Sequence, residues 1–208
     1  MIINQIVLKW CTKSRKDQVV KKIVIILLLS AVQIFAFQRF AFGVNVNSNA
    51  VEFEGKFNVA PLTSDPIFRD FYIDANFINE DDTLFGLGVY VENSFYNYPP
   101  LIFQVGLKSV FTSHDNDDFL AMPIIFGVKH KLYNGNLPIG TLGAKVLYAP
   151  SPLSFQDADS YTEYRLEGTV RIIENVEIYA GYRTIDTNYD MNKINYSDSG
   201  YVGFRFIF

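Results

Sequence analysis

The chain has 208 residues and a formal charge of −4; hydrophobic residues make up 49%, aromatic residues 16% and charged residues 19%, with 19 Phe and 13 Tyr against a single Trp. That length suits one domain, at most two, with enough chain to bury a core. The balance excludes a disordered, collagen-like or coiled-coil chain, and net acidity without a long Lys/Arg run argues against a nucleic-acid partner.

Near the N-terminus, Lys21 and Lys22 precede the mostly apolar stretch Ile23 to Ala36. A basic pair before a short apolar run has the dimensions of a secretory signal peptide and is short for a membrane-spanning helix. Ala36 is the expected last residue removed, although Ile34 is bulky where a small residue is preferred; cleavage after Ala41 is the second option and an uncleaved anchor the alternative. Residues 1–20, with Lys9, Lys13, Arg15 and Lys16 around Trp10 and Cys11, fit no part of such a peptide, so translation is expected to start near Val19 or Val20 from a non-ATG codon. The expected division is 1–36 for extension and signal peptide and 37–208 for the folded domain. Residues 1–36 carry six basic residues and one acid, so the remainder has 12 basic against 21 acidic residues, a net charge of −9. Cys11 is the only cysteine and lacks the context of a lipid-anchored one, so no disulfide framework or thiolate metal site is expected beyond it.

From Phe37 onward the apolar residues recur with a period of two, the spacing of strands. Phe40, Phe42, Val44 and Val46 alternate with Ala41, Gly43, Asn45 and Asn47, and Asn47-Ser48-Asn49 reads as a turn. Val51, Phe53, Phe57 and Val59 oppose Glu52, Glu54, Lys56 and Asn58. Phe71, Ile73, Ala75 and Phe77 oppose Tyr72, Asp74 and Asn76, and Phe103, Val105, Leu107 and Phe111 oppose Gln104, Gly106 and Lys108. Tyr164, Leu166, Val170 and Ile172 oppose Glu163, Arg165, Glu167, Thr169 and Arg171. Val176, Ile178, Ala180 and Tyr182 then oppose Glu177, Tyr179, Gly181 and Arg183.

A soluble β-sandwich would also alternate. Long segments of about 10 to 12 residues, an apolar face rich in Phe, Val, Ile and Leu throughout, and an opposite face mixing charges with glycine favour a transmembrane antiparallel up-and-down β-barrel. The connections alternate in length. Short turns are expected at Pro61 to Pro66, Tyr98-Pro99-Pro100, Tyr133 to Asn136 and Glu174-Asn175; longer loops at Asn79 to Thr83, Ser113 to Asp118, Pro150 to Asp159 and Thr187 to Ser197. Counting strands between them gives about ten, with eight as the alternative. Short inner turns and longer outer loops are the arrangement of outer-membrane barrels.

The last strand places Val202, Phe204, Phe206 and Phe208 on one face. A terminal aromatic on an alternating apolar strand resembles the signal read by the outer-membrane barrel assembly machinery.

From about Val105 onward the chain resembles the YfaZ family of outer-membrane proteins. The residues are Tyr148-Ala149-Pro150-Ser151-Pro152-Leu153-Ser154-Phe155-Gln156-Asp157-Ala158-Asp159 followed by Tyr161, Glu163 and Arg165, then Gly181-Tyr182-Arg183 and Gly200-Tyr201-Val202-Gly203-Phe204. The resemblance implies a signal peptide, a β-barrel and an outer-membrane location. It implies no activity and no catalytic residues.

Candidate chemistry is sparse. His114 lies in the acidic stretch Ser113-His114-Asp115-Asn116-Asp117-Asp118 and reads as a loop residue, and His130 between Lys129 and Lys131 reads as part of a basic rim. Ser109 and Ser113 near His114 do not specify a nucleophile and its base. The Asp115, Asp117, Asp118 group lacks the turn and ligand count of a calcium loop, and Asp157 and Asp159 suit turn-forming hydrogen bonds. The expected interior is a charge network of Lys145, Glu163, Arg165, Glu167, Arg171, Glu177, Arg183 and Arg205, mutually paired and filling the lumen. The reading is therefore a monomeric outer-membrane barrel of structural or surface role, not an enzyme and without metal or cofactor, in contact with outer-membrane lipid. A narrow pore is the alternative, and an outer-leaflet lipid-modifying enzyme stands behind it.

Overall fold

The computed structural model describes residues 40–60, 70–79, 83–114, 117–156, 158–189 and 193–208. The expected signal peptide, cleavage after Ala36, Cys11, the Pro61 to Pro66 turn, and Asp115, Asn116 and Asp157 lie outside the described residues. Ala41, the second expected cleavage point, lies inside a paired strand, opposite Lys56 and Ile207.

The period-two segments form twelve strands: β1 Phe40–Val46, β2 Val51–Asn58, β3 Phe71–Asn79, β4 Thr83–Phe95, β5 Tyr98–His114, β6 Asp117–Ala121, β7 Ile124–Asn134, β8 Leu137–Ala149, β9 Ser154–Gln156, β10 Ala158–Ile173, β11 Val176–Tyr189 and β12 Lys193–Ile207. Ten of them close on themselves. Antiparallel neighbours run β1-β2-β3-β4-β5-β7-β8-β10-β11-β12, and β12 returns to β1 from Ala41 opposite Ile207 to Val46 opposite Val202. Closure leaves no unpaired edge among these ten, the only way a sheet can satisfy its backbone in hydrocarbon.

The two remaining strands elaborate one end. β6 and β7 are a single course along β5 broken at Met122-Pro123, where proline has no N–H to give the ladder. The ladder is patched there by Lys108 N donating to Pro123 O and Met122 N donating to Leu153 O. β9 follows the 3-10 turn Ser151–Leu153 and adds to the free side of β6. It ends at Gln156, whose φ of 63° is the left-handed backbone that swings the chain back into β10.

Three expected connections differ. Pro99 and Pro100 are not a turn: they lie at the start of β5, in a bulge where Phe95 pairs with Tyr98 but Ser94 with Ile102. The stretches Thr187 to Ser197 and Ser113 to Asp118 are largely strand, since β11 reaches Tyr189, β12 begins at Lys193, β5 reaches His114 and β6 begins at Asp117. Polar residues keep the strand conformation there because paired backbone outside an apolar layer can carry polar side chains, as Asn188 on Ser160 and Asn195 on Asp186 show. Strand length also varies more than expected: β1, β2 and β3 have 7, 8 and 9 residues, whereas β5 has 17 and β10 has 16.

The outer face is a continuous apolar girdle. Val105, Phe126, Leu142, Leu166, Val170, Ile172, Ile178 and Val202 are each more than half exposed, with Leu166 at 58%. Rings line it in pairs, among them Phe42 with Phe53, Phe85 with Phe111, and Phe204 with Phe206. Water does not tolerate so large a contiguous apolar surface; hydrocarbon does. Among the described residues no helix is long and apolar enough to cross a membrane, so this surface belongs to strands alone.

Candidate functional site

Alternation that turns apolar side chains outward turns the others into the lumen, and the lumen is layered. Toward the end that carries β6 and β9, the inward positions are Ala50, Ile78, Leu84, Val110, Phe119, Ala121, Ile125, Leu147, Ala149, Tyr161 and Ile185, all buried in one cluster. Phe119 sets its ring centre 5.3 Å from that of Tyr189 and 6.2 Å from that of Tyr161, tilted against both. Tyr196 closes the same layer. Filled with buried aromatic and branched side chains, this layer seals the lumen toward the β6–β9 end. Below it the inward residues become charged.

One wall of the charged half is built by β1, β2, β10, β11 and β12. Its hub is Glu52, 1% exposed, whose carboxylate accepts four hydrogen bonds. Arg165 Nη2 and Asn76 Nδ2 reach Oε1, each at 2.9 Å, while Arg183 Nη1 at 2.5 Å and Asn45 Nδ2 at 2.8 Å reach Oε2. Arg165 also pairs with Glu163 Oε1 at 3.2 Å, and Tyr161 donates to the other oxygen of Glu163 at 2.8 Å. Nearer the end holding the chain's last residues, Arg205 bridges Glu54 and Glu167, and Tyr201 donates to Glu167 at 3.1 Å. Arg171, more exposed, pairs with Glu177 at 3.3 Å. Four arginines thus meet five glutamates, and buried charges of both signs are matched as low dielectric requires.

The facing wall, from β2 to β8, is built of lysine. Lys56 and Lys129 share Glu92 Oε1 at 2.8 and 3.1 Å, and Lys108 reaches Asp74 at 3.3 Å. Gln104 Nε2 also donates to Glu92 Oε1 at 2.6 Å. Lys56 Nζ stands 3.9 Å over the ring of Tyr72, which stacks on Tyr90. Lys131 and Lys145 line the same wall without a carboxylate partner among the described residues. Between the walls lies a cavity of about 470 Å³, whose lining runs from Leu147, Lys108 and Glu163 beneath the seal to Phe40, Lys131 and Phe208 at the opposite end. It therefore opens at the end of the short turns and of the chain's last residues, and stops at the apolar layer.

Seven of the eight expected lumen residues (Glu163, Arg165, Glu167, Arg171, Glu177, Arg183 and Arg205) stand in the Arg–Glu wall. Lys145 stands apart from it, on the lysine wall. The network is also larger than expected, because its acceptors Glu52 and Glu54 come from β2 and its second wall from β2 to β8. The alternation of Glu52, Glu54 and Lys56 against Val51, Phe53 and Phe57 already marked those positions as inward. The lumen is not filled throughout, as the cavity shows.

His130 turns outward, its Nε2 2.9 Å from the Tyr98 hydroxyl, while its neighbours Lys129 and Lys131 turn inward, so the expected basic rim is divided between two faces. Ser109 shares the outward parity of Leu107 and Phe111. The side chains of Ser113, His114, Asp117 and Asp118 lie outside the described residues, and Asp159 is exposed. Among the described residues no group of three His, Cys, Asp or Glu is placed to hold a metal ion.

A closed ten-strand barrel with an apolar girdle and a charged lumen narrows the relatives to barrel proteins, and the family model of YfaZ precursors matches residues 22–208. The chain belongs to the YfaZ family. The match takes in the first half of the barrel, beyond the last hundred residues that carried the resemblance. No curated protein matches the chain. Among solved structures, a bacterial polysaccharide outer membrane secretin is 14% identical over 81% of this chain and 57% of its own, with a TM-score of 0.42. This chain thus spans little more than half the length of that one.

Proposed function

We propose that this YfaZ family member is a monomeric outer-membrane barrel with a structural or surface role, exported by a cleaved signal peptide, and neither an open channel nor an enzyme. The observation that carries the reading is the seal. An apolar layer across the lumen, with Phe119, Tyr161 and Ile185 each at most 1% exposed, lies between the charged cavity and the β6–β9 end. Membership of a precursor family supports export, and the girdle is suited to lipid. Val202, Phe204 and Phe206 face outward on β12 beside Phe208, where the barrel assembly machinery would read them.

The test has two steps. Purified outer membranes, run on a gel with and without boiling, should give two mobilities for a barrel that resists SDS until heated. The folded protein in a planar bilayer should then show no conductance. A soluble periplasmic protein with a single mobility would overturn the barrel. Steady conductance that shifts on Arg165→Ala would replace the structural reading with that of a narrow pore, which the cavity favours as the second reading. Altered lipid A on overexpression, lost on His114→Ala, would make the protein an enzyme.

A further inference from the structure

The two walls of the lumen differ in charge balance. On the arginine wall every guanidinium has at least one carboxylate, and five glutamates serve four arginines. On the lysine wall Lys56, Lys108, Lys129, Lys131 and Lys145 make ion pairs among the described residues only with Glu92 and Asp74, and the glutamates across the cavity are committed to the arginines. Lys108, Arg165 and Lys129 act on Lys145 as like charges and Asp74 as the opposing one. Lys145 Nζ stands 5.8 Å from the centre of the Tyr90 ring, with no carboxylate partner among the described residues.

We propose that this wall is a binding site for a small organic oxyanion, entering from the open inner end past Lys131 and held by Lys145 and Lys108 against the Tyr72–Tyr90 pair. Three features define the ligand. The excess of ammonium groups calls for negative charge, since unmatched cations in a confined, partly desolvated space are costly. Lysine presents point charges rather than planar forks, which suits a carboxylate or phosphoryl group without fixed bidentate geometry. The stacked tyrosines, 5.5 Å between ring centroids, offer a flat wall for an apolar or sugar-like body within the roughly 470 Å³ available. The inference deepens the reading of the lumen as closed at its outer end: a dead-ended cavity retains a ligand, whereas a through-pore would pass it.

The test is calorimetric titration of the full barrel folded in detergent, at low ionic strength, with inorganic phosphate and in parallel with citrate as probes. At least one probe should bind saturably, phosphate alone indicating a phosphoryl ligand and citrate alone a carboxylate. Lys145→Met should weaken that binding about tenfold or more, and Lys145→Arg, which keeps the cation, should bind more tightly than Lys145→Met. Heat-modifiability of each sample shows that it is folded, so loss of the barrel and loss of the site are told apart. Folded wild-type protein that binds neither probe would overturn the proposal, as would Lys145→Met binding as tightly as wild type.

Discussion

Glu52 on β2 and Arg183 on β11, 131 residues apart in sequence, meet inside the barrel with Arg183 Nη1 2.5 Å from Glu52 Oε2. The partners are not equivalent. Glu52 has every lone-pair direction in use, whereas Arg183 leaves its Nε and Nη2 buried and unpartnered among the described residues. Glu52→Ala strands the Arg183 guanidinium and takes one of the carboxylates that hold Arg165, and is expected to cost about 3–5 kcal/mol, the usual loss when one side of a buried ion pair is removed. Arg183→Met should cost distinctly less, because the carboxylate keeps Arg165, Asn45 and Asn76 and two unsatisfied donors disappear with the side chain. The temperature needed to unfold the SDS-resistant form of each variant measures the difference. Equal losses would mean that Glu52 is not the hub.

Phe119 holds the seal together from β6, in ring contact with Tyr161 of β10 and Tyr189 of β11. Phe119→Ala removes the ring from a site 1% exposed and is expected to cost about 3–5 kcal/mol, with a void left beneath the β9 connection. If the layer is what stops ions, the same variant should show conductance steps in a planar bilayer where wild type shows none. A variant as stable and as silent as wild type would remove the seal from the argument.

Much of this was legible in the sequence, and the reason is the period of two. Once Val51, Phe53 and Phe57 are placed outside, Glu52, Glu54 and Lys56 must be inside, and the same parity held for β3, β5, β10, β11 and β12. What the alternation could not give is depth along the barrel axis. Ile185 and Arg183 share a face of β11, yet one belongs to the apolar layer and the other to the charged wall. That distinction depends on strand stagger, which long-range pairings such as Val46 with Val202 determine. Partner choice was hidden for a related reason. Lys145 and Arg165 are directly paired in register across β8 and β10, but the arginine reaches Glu52 across the lumen while the lysine is left without a carboxylate. The Pro99-Pro100 bulge is not legible in the sequence because a proline pair is as much a turn signal as a strand-start signal.

The girdle makes a separate claim about what surrounds the barrel. Leu166 lies on the outward face of β10 between Tyr164 and Ile172 and is 58% exposed. In lipid, Leu166→Arg should lower stability by about 2–4 kcal/mol, while Tyr96→Arg, in the turn between β4 and β5, should cost about 0–1 kcal/mol. Urea unfolding of vesicle-embedded protein separates the two. If water surrounded the barrel, both would lie within about 0.5 kcal/mol of wild type, and the girdle would have to be covered by something other than a bilayer.

Glu92 sets the charge of the lysine wall, since a single carboxylate oxygen takes both Lys56 and Lys129 and also accepts from Gln104. Glu92→Gln keeps the shape and an acceptor oxygen but removes the negative charge, so two ammonium groups that were matched now face the cavity unmatched. Any oxyanion bound against that wall loses a repelling neighbour and gains two uncommitted cations. Phosphate or citrate should therefore bind more tightly to Glu92→Gln than to wild type, by about tenfold at low ionic strength and by less as salt screens the wall. Glu167→Gln, on the opposite wall, removes a charge of the same sign where Arg205 also retains Glu54, and should shift affinity far less. Calorimetric titration of the two variants side by side reads the contrast directly. Equal shifts would show that the ligand responds to the summed charge of the lumen; a selective gain in Glu92→Gln places it on the lysine wall.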